Sequence, residues 1–430
     1  MEGVLHYIWK NRLLPKEHLQ TTDGENVRII DCGNEGEKSN VFYNARIIIG
    51  DKEWCGNVIL HNRSSDWEKE DDPDSNANSN IILHVTAENN CDTLRRHGEA
   101  ICQLCLKLPE NLEHELICAM RHAQCLPCSK KFKLIKEIEI KSYLSRLLVE
   151  RIEEKSENIL RTFSECKGRW DETLFKTIAR SFGFGIQSAV FEKWAKILDM
   201  NALGKHRNNQ IQVEAIMLGQ AGLLEKESIP YYYRKDALQS EYYKKIHREY
   251  MFLKNKFNLQ SIDYIEWGSG MATPHVRIAR IAALYCRKRT EISSILSCNT
   301  ISEYRSMIDT RLEGYWQNHT CLGSTMTIGN GYMKPYQTDI IIINAIIPLL
   351  YIYGKHRNDS HACSKAEDLI HSLKGEENSI VKKWRERGLV INCAADSQAI
   401  LQLERKYCRM QNCTNCRFAY HYIRNRLAEC

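Results

Sequence analysis

The 430-residue sequence lacks an uninterrupted apolar run of membrane-spanning length, a strong excess of either charge, and any internal repeat. Its longest apolar run, residues 340–353, is interrupted by Asn344 and Pro348. It falls short of the roughly 18–20 residues that a bilayer-spanning helix needs, so a buried core helix and no membrane partner are expected. Residues 1–14 carry a Glu at position 2 and no apolar core followed by small residues, which is not the pattern of a secretory leader. The formal charge of +6 is mild for this length and lacks the basic excess of dedicated nucleic-acid binders, so a polyanionic partner is permitted but not demanded. No period of solenoid length recurs, which excludes a repeat architecture.

What is present reads as an ordinary globular chain, 43% hydrophobic and 27% charged. A chain this long usually divides its core, and two parts are expected. Eighteen cysteines are scattered along it. Without a leader, such a pattern points to reduced thiols or a metal site in a reducing compartment, so a cytoplasmic location is expected.

Leu5, Ile8, Trp9 and Leu13 recur on one helical face, with Lys10 and Arg12 opposite, so residues 2–14 are expected to form a packed helix. β-type runs follow at 27–30, 45–49, 54–61 and 81–85, separated by Gly, Asn and Asp turns. The stretch 66–80, acidic and then rich in Asn and Ser, reads as a mobile surface loop. Near Pro127 and Lys130-Lys131-Phe132-Lys133 the period changes from strand to helix. The expected division is therefore a sheet-rich module at 1–128 with an opening helix, and a helical domain at 129–430. In the second part Tyr143, Leu144, Leu147, Leu148 and Ile152 stripe one long helix, and Leu174, Phe175, Ile178 and Phe182 stripe another that ends at Gly183 as a C-cap. Further helices are expected at 192–203, 213–224, 240–256, 275–289, 339–353, 364–374, 379–388 and 397–408. The fold class is α+β.

Three stretches carry a specific pattern: Phe42-Tyr43-Asn44-Ala45-Arg46-Ile47, Gly56-Asn57-Val58-Ile59-Leu60-His61-Asn62-Arg63-Ser64-Ser65-Asp66-Trp67, and Asn80-Ile81-Ile82-Leu83-His84-Val85. They resemble a bacterial family, a domain of unknown function. Its members carry Gly-Pro-Asp-Phe-Phe-Asn-Ala-(Arg/Lys)-Ile, Gly-Asn-Val-Glu-Ile-His-x-(Lys/Arg)-Ser-Ser-Asp-Trp and Asn-Val-Ile-Leu-His-Val-Val. The resemblance continues through Gly219-Gln220-Ala221-Gly222, residues 341–354, Asp396-Ser397-Gln398-Ala399 and residues 407–418, nearly the whole chain.

In that family a Pro-Asp precedes one strand and a Glu-x-His lies on the next, after a helix bearing an N-terminal Glu. This order looks like that of the restriction-endonuclease-like fold, in which carboxylates from adjacent strands hold a Mg²⁺ that activates water and stabilises the leaving oxygen of a phosphodiester. The resemblance implies a nuclease-like module with Glu2, His61, Arg63 and Asp66 as its surviving site residues. The ligand positions, however, hold Val41 and Ile59 where the family has Asp and Glu. Neither offers a donor oxygen, so Mg²⁺ is not expected and the survivors count as vestigial. The family's His-Gly-His is replaced by Glu68-Lys69-Glu70, its Leu-Glu-Leu by Leu104-Cys105-Leu106, and a basic Arg-x-Arg-Pro loop by the stretch from Trp267 to His275. Taken singly, Trp54, His61, Trp67 and His84 fit a packed sheet, and Ser64 to Trp67 a capped turn. Order and spacing carry the resemblance. The implied reading is a catalytically eroded nuclease-like protein with a binding or structural role, nucleic acid being the partner class. An active metal-dependent nuclease or phosphodiesterase, and an interaction protein with a structural metal, are the alternatives.

Cys408, Cys413 and Cys416 form the best metal-type signal, since close thiolates on a turn can chelate Zn²⁺ or grip an iron–sulfur cluster. His421, Cys430 and Cys393 are candidates for a fourth ligand; free thiols on a helix-turn are the alternative. Cys102 and Cys105 lie on an apparent strand, where a spacing of three puts them on opposite faces. Cys125 and Cys128, near Cys118 and His122, are a weaker possibility. Residues 231–256 interleave tyrosines with basic residues, a string that suits either a nucleic-acid surface or, as preferred here, an amphipathic helix with buried tyrosines.

Overall fold

The computed structural model describes residues 3–14, 19–35, 40–69, 80–95, 98–107, 135–268, 274–326 and 331–427. The architecture is α+β. The described residues fall into two compact units, one made of 1–143, 382–390 and 401–430, the other of 144–381 and 391–400. The expected boundary at 128/129 lies outside the described residues.

The first unit is built on one seven-stranded sheet: β1 (Leu19–Gln20), β2 (Asn26–Asp31), β3 (Asn34–Glu35), β4 (Val41–Ile49), β5 (Lys52–Arg63), β6 (Ile81–Glu88) and β7 (Gln103–Cys105). The strand order is β1-β2-β4-β5-β6-β7, with β3 paired to β4. Hairpins make β2, β4 and β5 antiparallel, whereas β6 and β7 run parallel to their neighbours. A parallel neighbour requires a long crossover, supplied between β5 and β6 by residues 64–80, which open with the 3₁₀ helix Ser64–Lys69. The Thr22 N–H, just past β1, donates to Gln103 O on β7 at 2.9 Å, so the sheet nearly closes on itself.

Strand alternation gives the sheet two apolar faces. Phe42, Ile47, Val58, Leu60, Val85 and Leu104 share one with Leu5 and Trp9 of the helix Gly3–Lys10. That helix buries the predicted stripe, Leu5, Ile8 and Trp9, together with Leu13 beyond its end, and the Trp9 indole N–H donates to Cys32 O at 3.0 Å. Val41, Ile59, Trp67, Ile81 and Ile101 form a second, smaller cluster. The alternation changes parity in β4 at a bulge between Phe42 and Ala45, where Asn44 takes φ 57°. Asn tolerates this left-handed conformation better than most residues. As expected for a strand, Cys102 packs with the first face while the Cys105 thiol donates to Ala87 O.

The second unit is helical. The helix Trp170–Ser181 ends one residue earlier than the apolar stripe, with Phe182 as a right-handed cap rather than Gly183. Gly183 serves close approach instead: a Cβ there would lie 2.3 Å from the Ser188 backbone nitrogen. The single helix expected at 192–203 is two, Ser188–Ile197 and Met200–Lys205, because the Asp199 carboxylate caps the second by accepting from the Asn201 and Ala202 N–H groups. The apolar run at 340–353 lies in a 23-residue helix, Pro335–Arg357, longer than the run and long and apolar enough to cross a membrane by length and composition alone. Its Ile341, Ile342, Ala345, Ile346, Leu349 and Leu350 are buried, and it packs on Trp170–Ser181, Ile301–Ile308 and Ser360–Ser372. A π-helical turn, Ile342–Ile346, interrupts it.

Candidate functional site

On the smaller face of the sheet, Val41 stands directly opposite Ile59 in the β4–β5 register. Both are fully buried, under Trp67 and Ile101. Facing residues of an antiparallel pair hold their Cβ atoms about 4.5–5.5 Å apart. Carboxylates at these two positions would converge; the valine and isoleucine present there make a dry apolar contact.

His61 follows Ile59 on the same face, and Ile59 is in register with His84 on β6. The two imidazoles are bonded, His61 Nδ1 to His84 Nε2 at 3.0 Å, and His84 Nδ1 meets Thr93 Oγ1 at 2.8 Å. Gln103 Nε2 donates to Thr93 Oγ1 at 2.5 Å and to Cys91 O at 3.1 Å. The Asn40 amide Nδ2, a donor only, lies 3.3 Å from His61 Nε2, which therefore accepts and leaves the His61 ring proton on Nδ1. His61 Nδ1–H then donates to His84 Nε2, and His84 Nδ1–H donates to Thr93 Oγ1, whose two lone pairs accept both it and the Gln103 amide. Burial, and then the neighbouring His61, push the His84 pKa down to about 3, against a weaker pull from Asp66. The result is a buried hydrogen-bonded chain of side chains able to hold a geometry, and among the described residues no group of three or more His, Cys, Asp or Glu side chains joins it to hold a metal ion.

Arg63 and Asp66 make their hydrogen bonds beside this chain. The Arg63 guanidinium pairs with Glu88 at the surface, and Asp66 Oδ2 accepts the Arg63 backbone N–H, closing the turn. Ser64 Oγ donates to Asn90 Oδ1 and accepts the Asn90 and Cys91 N–H groups, while the Trp67 indole donates to Leu94 O. The Ser-Ser-Asp-Trp motif thus fastens the segment that carries Thr93 onto the sheet. Glu2 lies outside the described residues.

A second polar centre, in the helical unit, was missed by sequence reasoning. Lys155 Nζ donates to Asn344 Oδ1 at 2.9 Å, Gln398 Oε1 at 2.6 Å and Ile343 O at 3.4 Å. Each acceptor is held in place. Asn344 Nδ2 donates to Ile340 O, Gln398 Nε2 donates to Glu376 Oε1, and the π-helical turn takes the Ile343 carbonyl out of the regular α-helical ladder. Burial, and then Arg151, lower the Lys155 pKa. Two signals were available: Asn344 interrupts an apolar run, and Gln398 belongs to the quoted Asp396-Ser397-Gln398-Ala399. A third centre joins Glu214 to Tyr242 Oη at 2.5 Å and Gln210 Nε2 at 2.8 Å, with the Trp316 indole donating to Tyr242 Oη. Burial raises the Glu214 pKa.

Of residues 231–256, the helix Glu241–Phe257 buries Tyr243 and Tyr250, whereas Tyr231 and Tyr232 on Tyr231–Gln239 are exposed. The cysteine signal resolves into parts. Cys408 is buried at the end of a π-helical turn, Leu403–Cys408; Cys413 opens the 3₁₀ helix Cys413–Asn415; and Cys416 is buried just before the helix Arg417–Leu427. Among the described residues no group of three or more His, Cys, Asp or Glu side chains is placed to hold a metal ion, and no disulfide joins the described cysteines. His421 pairs with Glu139 at 3.8 Å, and the Cys393 thiol donates to Asp396. Cys118, His122, Cys125, Cys128 and Cys430 lie outside the described residues.

No curated protein and no solved structure matches the chain. A family model described as a protein of unknown function, DUF2851, matches residues 2–379, which takes in the sheet and most of the helical unit and stops before the cysteine signal. The chain therefore belongs to the DUF2851 family.

Proposed function

We propose that this protein is a catalytically eroded nuclease-like protein, with a binding or structural role in the cytoplasm and nucleic acid as its partner class. The face-to-face pairing of Val41 with Ile59 carries this reading. Support comes from the antiparallel β4–β5 register, which sets the two side chains face to face, and from His61, which follows Ile59 on the same face. Without donor oxygens no Mg²⁺ is retained to activate water or steady a leaving oxygen. The +6 charge suits a polyanion.

Incubation with single- and double-stranded DNA and RNA in the presence of Mg²⁺ or Mn²⁺ is expected to give no cleavage above the buffer control, while labelled nucleic acid shifts at low salt and is released as salt rises. Metal-dependent cleavage by the natural sequence would overturn the reading. The paired substitution Val41→Asp with Ile59→Glu is expected to create Mn²⁺ binding measurable by calorimetry; a folded double variant that binds no metal counts against the ancestral site.

A further inference from the structure

We propose that Cys413 and Cys416 form a redox-convertible dithiol, closed to an intrachain disulfide by a small-molecule disulfide such as glutathione disulfide. The Cys416 N–H donates to Cys413 O at 3.1 Å, an i to i+3 turn that keeps the two Cα atoms within about 7 Å. That is the span which a disulfide bridges, about 4.4–6.8 Å between Cα atoms. Cys416 is seated at the start of the helix Arg417–Leu427, where its sulfur meets the backbone N–H groups of Phe418 and Ala419, and the Tyr143 hydroxyl donates to it at 3.6 Å. Its position is therefore fixed, while Cys413 is the more exposed of the two. Cys408, although near in sequence, does not complete a metal-holding group with them among the described residues.

In the reaction Cys413 loses its proton to solvent and its sulfur attacks one sulfur of glutathione disulfide, releasing one glutathione. Cys416 then displaces the second from the mixed disulfide. One S–S bond breaks and one forms; the pair gives up two electrons and two protons, and two glutathione molecules are released.

The test uses the full-length protein, purified under reducing conditions, exposed to glutathione disulfide, alkylated and digested with trypsin. Cleavage after Arg409 and Arg417 places both cysteines on residues 410–417, while Cys408 falls on residues 407–409. The expected product is the 410–417 peptide, unalkylated and lighter by two hydrogens than its reduced form. In Cys416→Ser the same peptide should carry one glutathione at Cys413, since nothing displaces it. Recovery of both cysteines fully alkylated after oxidation overturns the proposal, as does a cross-link to the Cys408 peptide. Stoichiometric zinc or iron on the protein as purified, released together with newly alkylatable Cys413 and Cys416, overturns it as well.

Discussion

Protonating His84 would place a charge between His61, Thr93 and the Trp67 indole, and burial there lowers its pKa to about 3. An unfolded histidine titrates near about 6.5, so between those values the unfolded chain binds the extra proton. Stability of the sheet unit is therefore intact above pH 6.5 and declines as pH falls toward 3, by up to about 1.4 kcal/mol per pH unit from this group. Urea midpoints followed from pH 7 to pH 5 are expected to fall, and His84→Gln is expected to flatten that slope. Lys155 illustrates the opposite dependence on a side chain's presence. Asn344 and Gln398 are clamped by their own hydrogen bonds, so Lys155→Met removes the amine from Asn344 Oδ1 and the Ile343 carbonyl and leaves Gln398 Oε1 only the longer bond from Arg151. We expect a loss on the order of 3 kcal/mol in the denaturant-derived stability of the helical unit. A loss within a few tenths of a kcal/mol would mean that water replaces the amine.

Among the elements, the stretch Gly219-Gln220-Ala221-Gly222 is packing throughout. A Cβ on Gly219 would lie 2.2 Å from the Tyr250 ring, so its helix Gln210–Gln220 meets Glu241–Phe257 at close quarters. Gln220 Nε2 donates to Ile197 O and Gln260 O, Ala221 O accepts the Trp267 indole, and Gly222 takes φ 70° against Ile262 O. Gly219→Ala is expected to cost about 1–3 kcal/mol through overpacking, seen as a lowered urea midpoint. The β4 bulge is a second test at this scale. Asn44→Gly should be nearly neutral, whereas Asn44→Val should cost about 1–2 kcal/mol, because a β-branched residue resists the left-handed conformation held there. The helices were legible wherever an apolar stripe ran unbroken, as at residues 170–181. Where a cap intervened, as at Asp199, periodicity alone joined two helices into one, since both halves present apolar residues at the same spacing.

For the molecule as a whole, the expected absence of a bound divalent cation has a direct thermal consequence. A metal held only by the folded state would raise the melting temperature by mass action. Adding EDTA or millimolar Mg²⁺ is therefore expected to leave the melting temperature of the natural sequence unchanged in differential scanning fluorimetry, and a drop with chelator would point to a structural metal. The sequence by itself determined the class of each part, the strands at β2, β4, β5 and β6, the helical stripes, and the absence of carboxylates at positions 41 and 59, because periodicity and residue chemistry are local properties. Only the tertiary structure decided that Val41 faces Ile59, that His61, His84, Thr93 and Gln103 join in one chain, and that Lys155 meets Asn344 and Gln398. It also decided that the C-terminal units 382–390 and 401–430 cluster with the sheet unit. The physical reason is that these contacts join residues 9 to 243 positions apart, so strand register, a π-helical turn and chain return, rather than local spacing, bring them together.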